Sequence, residues 1–449
     1  MNNDREKKKK KSKVRYDRIA ILVIIFIVII GLVIYFFPKR DKKEIKLNKT
    51  EKKNYVELIL KKENNDIDEK FLNWVVSNYG DKVLEPLYIS LENKKYDRGL
   101  WHELTGDSYI VLQDKYQNKY ANNSDVTVIE GKKNSVSISF AGDISLADNW
   151  EIMPYYKSRN KGVYGILSEE IVKYMNDTDL MIVNSEFSFS NRGTPTPNKT
   201  YTFRANPKNV SIYKEMGIDL VTLANNHVYD YGELAFLDTL STLDKAGIPR
   251  IGAGKDIAEA KKPYYFVING YKVAFVNASR AEKYRLTPEA TSTSPGIFRA
   301  YDPNPFAEEI KKAKESSDFV IALIHWGKED THELEEVQKE TGKLYIDSGA
   351  DMVVGTHAHY LQGVEFYKNK LIAYNLGDFI FSHGREESGI LTWVLNFDGS
   401  SEYKFIPALQ DDFKTVMLQD EDALELYRLM TSWSINGKFL SDGKIIEET

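Results

Sequence analysis

Between Ser135 and Tyr374, short apolar runs alternate with stretches whose apolar residues recur at helical spacing. The runs are Val136 to Ala141, Leu180 to Val183, Leu220 to Ala224, Phe319 to Ile324, Met352 to Val354 and Leu371 to Tyr374. Each has the length of a buried strand. Between them Ile166, Leu167, Ile171, Val172 and Met175 share one helical face. Leu234, Leu237, Leu240 and Leu243 share another, in a helix that Gly247 closes. Strands alternating with helices predict an α/β domain with largely parallel strands. In such sheets the ligand site lies beyond the carboxyl ends of the strands.

Every run exits into residues that can hold a cation. The first leads to Gly142-Asp143, the second to Asn184-Ser185-Glu186 and the third to Asn225-Asn226-His227. The fourth leads to His325-Trp326-Gly327, the fifth through Gly355-Thr356 to His357-Ala358-His359, and the sixth to Asn375-Leu376-Gly377-Asp378. In extended backbone, residues i and i+2 point to one side about 7 Å apart, so His357 and His359 can address one cluster. A lone His-x-His reads equally well as two surface histidines; six strand ends of this kind point to a metal site. Carboxylates, imidazoles and the amide oxygen of Asn226 suit Mn, Fe or Zn better than Ca, and the set is large enough for one or two ions. Two ions sharing a bridging oxygen turn water into hydroxide and clamp a phosphoryl or carbonyl centre. His227, beside Asn226, is placed to protonate a leaving group.

The pattern changes upstream. Ile19 to Phe37 is nineteen residues without a charge, about 28 Å as a helix and enough to cross a bilayer core. The first eighteen residues carry nine Lys or Arg against three acids, a net of +6 in a chain of −5 overall. A cleaved signal peptide is the competing reading. The apolar stretch is long for one, and its exit, Phe36-Phe37-Pro38-Lys39-Arg40, lacks small residues, which favours an uncleaved anchor. The run Lys7 to Lys11 predicts a cytoplasmic N-terminus against anionic lipid, rather than nucleic-acid binding, although Lys39, Arg40, Lys42, Lys43 and Lys46 flank the far side too. The expected order is therefore a basic tail (1–18), a single-pass plasma-membrane anchor (19–37), a charged stalk (38–54), a small mostly helical module (55–125) and an extracytoplasmic main domain. In the module, Ile67, Phe71, Leu72 and Val75 share helical spacing, Gly80 is a C-cap, and Asp81 opens a second helix through Val83, Leu84 and Leu87. Trp101, Tyr109 and Leu112 are expected to pack on these, and His102 is taken as structural.

Cysteine is absent, which excludes disulfides and thiolate metal sites. Any metal must be held by His, Asp, Glu and Asn.

At these strand ends the chain resembles the CapA-type capsule-synthesis family, a branch of the calcineurin-like metallophosphoesterases. The resemblance rests on Gly142-Asp143, Asn184-Ser185-Glu186, Ala224-Asn225-Asn226-His227 with Asp230-Tyr231-Gly232, and His325-Trp326-Gly327. It continues through Gly349-Ala350-Asp351, Gly355 to His359 and Asn375-Leu376-Gly377-Asp378-Phe379. It covers about residues 135–410, leaving 411–449 as a C-terminal extension and the helical module unmatched. The resemblance implies an α/β/β/α metallophosphatase-like sandwich with two metals at the strand ends. By position, Asp143 and His359 would bind the first metal, Asn226, His325 and His357 the second, with Glu186 bridging and His227 the general acid. Two departures stand out. The superfamily's Asp-x-His is here Asp143-Ile144-Ser145, and Asp378 replaces the Asn of a common Gly-Asn-Phe, adding a charge or a further ligand.

Outside the core set, Arg204 is a candidate for gripping a substrate carboxylate or phosphate, or else a surface ion pair. Glu329 is a candidate for supporting His325 from behind, or a solvated carboxylate. His332 and His383 are expected to be exposed. The resemblance implies a role in poly-γ-glutamate capsule synthesis, export or attachment, with an anionic polymer as substrate and other membrane subunits as partners. A phosphoesterase acting on an envelope phosphodiester or nucleotide, and a non-catalytic polymer-binding scaffold, are the rival readings.

Overall fold

All six apolar runs are strands, and they divide equally between two sheets. The computed structural model describes residues 47–62, 69–92, 99–106, 109–117, 125–129, 135–268, 271–282, 286–382, 384–396 and 400–448. The strands that matter are β1 (Val126–Ile129), β2 (Ser135–Ile144), β3 (Leu180–Ser185), β4 (Leu220–Thr222), β5 (Arg250–Ile251), β6 (Tyr264–Ile268) and β7 (Tyr271–Ser279). There follow β8 (Phe319–His325), β9 (Met352–Thr356), β10 (Leu361–Tyr367), β11 (Lys370–Leu376), β12 (Asp378–Ile380), β13 (Glu386–Asn396) and β14 (Ser401–Asp411). One sheet has the order β1-β6-β7-β8-β9-β11-β10. The other runs through β14-β13-β2-β3-β4-β5, with β12 paired to β2 and the strands Gly437–Phe439 and Lys444–Glu447 beyond β14.

The alternation of strand and helix gives parallel runs in both sheets: β2 to β5, one half of the larger sheet, and β7, β8, β9 and β11 at the centre of the other. The expectation of largely parallel strands fails for the other half of the larger sheet and at the end of the smaller one. β13 and β14 join antiparallel beside β2, and β10 folds back on β11. β13 and β14, like β10 and β11, follow one another through short turns with no crossover helix between them, and short connections pair strands antiparallel.

Alternation along each strand decides what it faces. Ile321 and Leu323 of β8 meet Ile138, Phe140 and Ile182 of the other sheet in a shared core. Val320, Ala322 and Ile324 turn the other way, onto Phe306 and Ile310 of the helix Asn304–Glu315. On the far side Met181 and Val183 pack on Ile171, Val172, Leu240 and Leu243 of helices Glu169–Asp177 and Gly232–Ala246. The layers are thus helix, sheet, sheet, helix, and each fully buried aliphatic or Phe stabilises them by about 1.5–3 kcal/mol.

The two expected helices form, with altered edges. The first begins at Glu169, where the Ser168 hydroxyl accepts the Ile171 N–H, so Ile166 and Leu167 precede it. The second ends where Gly247 adopts φ +70°, but Leu234 is 53% exposed and Phe236 takes its place in the core. An i, i+3 leucine ladder drifts around a 3.6-residue helix, so its first member leaves the buried face.

By contact the chain divides after residue 96, into Met1–Tyr96 and Asp97–Thr449. In the first unit, helices Lys49–Lys62, Glu69–Tyr79 and Leu84–Glu92 bury Ile59, Leu72, Val75 and Leu87. Gly80 sits at φ +81° between the second helix and a short 3₁₀ turn at Asp81–Val83. Asn48 and Glu51 cap the first helix reciprocally, so helix begins inside the stretch read as stalk. Trp101 and Leu112 belong by this division to the second unit, not to the helices before it. Among the described residues no helix is long and apolar enough to cross a membrane. Ile19 to Phe37 lies outside them, as does His383.

Candidate metal centre

The carboxyl ends of β2, β3, β4, β8 and β9 meet at one edge of the sandwich. Asp143, the penultimate residue of β2, is wholly buried, and so is Glu186, one residue past β3. Asn226 and His227 follow β4, His325 ends β8, and His357 and His359 follow β9. The first three strands belong to one sheet and the last two to the other, so the site straddles both.

Two groups of donors result. Glu186, His325 and His357 offer three ligand atoms within 4.8 Å of one another, and Asp143, His359 and Asp378 offer a second such trio. Asn226 joins the first group: its Oδ1 accepts from Nε2 of His325 at 2.7 Å, while the Thr356 hydroxyl lies 2.8 Å from Nδ1 of that ring. The two sheets are stitched here by the His357 N–H, which donates to Asp143 Oδ2 at 2.9 Å. Asn184 holds the carboxylates from below, its amide donating to Asp143 at 2.7 Å and to Glu186 at 3.2 Å. Asn184 Oδ1 in turn accepts from Thr222 and Asn225.

Glycine permits this closeness at two points. A Cβ on Gly142 would coincide with the Gly377 carbonyl, to which the Asp143 N–H donates. One on Gly355 would strike the Tyr374 carbonyl and the indole nitrogen of Trp326. The two histidines beyond Gly355 do not extend the strand. His357 sits at φ +102° and His359 at φ +61°, so a left-handed turn, not the pleat of a strand, aims both rings inward. Their ring centres are 6.2 Å apart.

His227 stands slightly apart. Its Nδ1–H donates to Asp230 at 2.7 Å, which fixes the tautomer and leaves Nε2 facing Glu186 at 4.0 Å. Asp230 is fully buried and also accepts the Phe203 N–H, with the Lys199 ammonium 2.8 Å from its other oxygen. Lys199 reaches Glu282 at 3.2 Å and donates to the backbone carbonyl of Asn226. This lysine arrives from an irregular loop, and no spacing in the sequence marked it.

The electrostatics describe a centre short of positive charge. Burial, then the neighbouring Glu186, pushes Asp143 up to about 7. Burial likewise raises Glu186 to about 7 and Asp378 to about 6. Burial lowers His325 to about 4, and burial with the adjacent rings holds His357 well below the ordinary histidine value. Burial also opposes charge on His359, but Asp378 (2.8 Å from Nδ1), Glu186 and Asp143 outweigh it and hold that ring well above its usual value. Glu186 Oε1 and His357 Nδ1 are buried without a hydrogen-bond partner among the described residues. Orphaned lone pairs beside crowded carboxylates and neutral imidazoles are the donor chemistry a divalent cation satisfies, and the residues fit one.

The outlying candidates fare differently. Arg204 lies over the Tyr231 ring at 4.2 Å, with Nη1 donating to the carbonyls of Arg192 and Gly193, and makes no ion pair among the described residues. Glu329 is 53% exposed at its side chain, with Oε1 3.8 Å from Nε2 of His357, so it stands at the rim beside that ring. His332 is not a free surface residue: it stacks on Trp433 at 3.8 Å and bonds the Leu361 carbonyl. Glu386, which no motif flagged, packs against Asp378, and burial followed by Asp378 raises it to about 7.

The model of the bacterial capsule synthesis protein PGA_cap matches residues 137–383. The PGA biosynthesis protein CapA of Bacillus subtilis is 28% identical over 277 residues, which is 61% of this chain and 71% of that protein. The capsule biosynthesis protein CapA of Bacillus anthracis is 30% identical over 251 residues, 54% of this chain and 60% of that one. Among solved structures, a 5'-nucleotidase from Candida albicans aligns over 61% of this chain and 52% of its own, at 14% identity and a TM-score of 0.34. The family match takes in more than half of the chain and every residue of both donor groups, and the chain belongs to the bacterial capsule synthesis protein family PGA_cap.

Proposed function

We propose that this chain is a divalent-metal-dependent protein of capsule assembly, anchored by its N-terminal apolar segment with the main domain outside the cell, that acts on poly-γ-glutamate during its synthesis, export or attachment. The observation that supports it most is the convergence from two sheets of two donor trios, Glu186, His325 and His357, and Asp143, His359 and Asp378, each no more than 4.8 Å across, with Asn226 beside His325. Those residues would hold one or two ions of the Mn, Fe or Zn type. A bound ion supplies Lewis acidity toward the carbonyl of an amide and lowers the pKa of water.

The protein's own groups do the rest. Asn184 keeps Asp143 and Glu186 in register, so the carboxylates face the centre without rotating. Asp230 holds His227 with a proton on Nδ1, so Nε2 is the nitrogen that would take up the proton of the attacking water and pass it to the departing amine. Phe203, whose ring centre is 4.4 Å from that of His227, shields the imidazole from bulk water. The chain carries a net charge of −5, so long-range attraction does not gather a polyanion. A cation held by these residues would be the local attraction for a carboxylate-bearing substrate.

The test is incubation of purified full-length chain and Mn²⁺ with poly-γ-glutamate of defined length, following chain length and new amino termini. Turnover is expected to fall about a hundredfold to ten-thousandfold in His227→Ala. If generic phosphodiesters are hydrolysed instead, with the same dependence on His227, the substrate is a phosphate ester and the polymer reading fails. If Asp143→Ala and His357→Ala leave cell-surface capsule unchanged while removal of the anchor abolishes it, the chain works as a scaffold.

A further inference from the structure

Ser145 occupies the position where the superfamily places a first-site histidine, and its hydroxyl is buried without a hydrogen-bond partner. The backbone around it is not open. The Ser145 N–H donates to the Ile380 carbonyl at 2.7 Å, because β12 lies parallel to β2 with Asp378 directly opposite Asp143. That pairing brings a second carboxylate to the Asp143 side of the centre, where Asp378, Asp143 and His359 each present a ligand atom within 4.8 Å of the others. All three residues are largely buried, and Glu186 nearby keeps one oxygen without a partner. A buried carboxylate pressed among other carboxylates is unfavourable unless something cationic joins them.

Resting on the metal-centre reading above, we infer that Asp378 supplies the charged ligand in place of the imidazole that Ser145 does not provide, and that the centre is thereby split into two chemically unlike halves. Asp143, Asp378 and His359 form an oxygen-rich half. His325, His357 and the amide of Asn226 form a nitrogen-rich half, and Glu186 lies beside it. Carboxylate oxygens suit Mn²⁺ and Mg²⁺, whereas imidazoles suit Zn²⁺ and Fe²⁺. The exchange of an imidazole for a carboxylate thus selects a hard ion at the first position and leaves the second for a softer one. Asp378 also accepts from His359, so a purely orienting role must be separable from ligation.

The experiment uses the full-length chain in detergent, stripped by chelator, given one equivalent of Zn²⁺ and titrated with Mn²⁺ by loss of the free-ion EPR signal. The expected result is one Mn²⁺ taken up per chain with zinc retained. Asp378→Asn keeps an acceptor for His359 but loses the charge, and is expected to lower Mn²⁺ affinity about tenfold or more with zinc still bound, which also reports an intact fold. Adding Ser145→His to that variant is expected to restore a second ion, now with zinc displacing manganese. Undiminished Mn²⁺ uptake by Asp378→Asn, loss of both ions together, or no rescue by Ser145→His would each overturn the ligand role while the centre itself stands. A parent chain that takes up neither ion would remove the metal centre as well.

Discussion

Asp143, Glu186 and Asp378 are buried carboxylates whose pKa values are raised above the ordinary range, chiefly by burial, and this fixes how the centre answers to pH. Folded-state values near 7 mean that Asp143 and Glu186 still hold protons in mildly acid solution. An arriving cation must displace them. His325 and His357, lowered by burial, are already neutral there and release nothing. Metal affinity therefore rises with pH through about 7 as Asp143 and Glu186 lose their protons; His359, held protonated by Asp378, must also release its proton to become a ligand, so release is larger at about pH 6 than at about pH 8 but not absent there. Titration in weak buffer measures this directly, and equal release at both values would contradict it. Gly355 sets a second limit at this scale. Gly355→Ala drives a methyl into the Tyr374 carbonyl and Trp326, an overpacking that costs about 1–3 kcal/mol and displaces His357. A lower unfolding midpoint together with weaker metal uptake is the expected outcome. Asp143, His325 and their partners were readable in advance because each ends an apolar run. Asn184 carried no role in that reading, since an amide directed at two carboxylates leaves no periodic trace.

The elements that build the centre differ in what holds them. Strand ends are fixed by their ladders, but the irregular segment between Ser190 and Phe203 is tied down by side chains. Lys199, 5% exposed, reaches Asp230, Glu282 and the Asn226 carbonyl, and the Phe203 N–H closes the same loop onto Asp230. Lys199→Met leaves Asp230 buried without its cation, which costs about 3–5 kcal/mol when one partner of a buried pair is lost. Urea unfolding should show that loss; a cost below about 1 kcal/mol, the range of surface pairs, would mean the lysine is not holding the loop. Helix Gly232–Ala246 gives the converse case. Leu240 is fully buried and Leu240→Ala should cost about 2–5 kcal/mol. Leu234→Lys, at an exposed position, should stay within about 0.5 kcal/mol of the parent. The leucine spacing alone gives all four positions equal weight, and only the tilt of the helix on its sheet distinguishes them. Irregular loops such as the one bearing Lys199 escape pattern reading for a related reason: their partners are set by tertiary contact rather than by period.

At the scale of the molecule, periodicity shows that strand ends converge but not that two sheets supply them. An apolar run such as Phe319 to Ile324 is buried on both faces in either arrangement, so its sequence cannot say which sheet it joins. The division matters because the bond from the His357 N–H to Asp143 makes the centre a clasp between sheets, and a cation held there should stabilise the whole sandwich. The anchor proposed over Ile19 to Phe37 contributes none of the donor residues of that clasp, which makes the two separable by truncation. A chain beginning at Leu47 lacks the basic tail and the whole apolar stretch but keeps every donor. Its metal uptake and the metal-dependent rise in its melting temperature should equal those of the full chain. By mass action that rise reports about 2.7 kcal/mol at a metal concentration a hundred times the dissociation constant. Its partition should differ completely, since nineteen uncharged residues are the segment able to hold the full chain in a bilayer. Flotation of both forms with vesicles of anionic lipid decides the point: the full chain should rise with the vesicles in high salt and the shortened one should remain below. Should the shortened chain also float in high salt, membrane attachment would lie in the folded body, and the apolar segment would need another purpose.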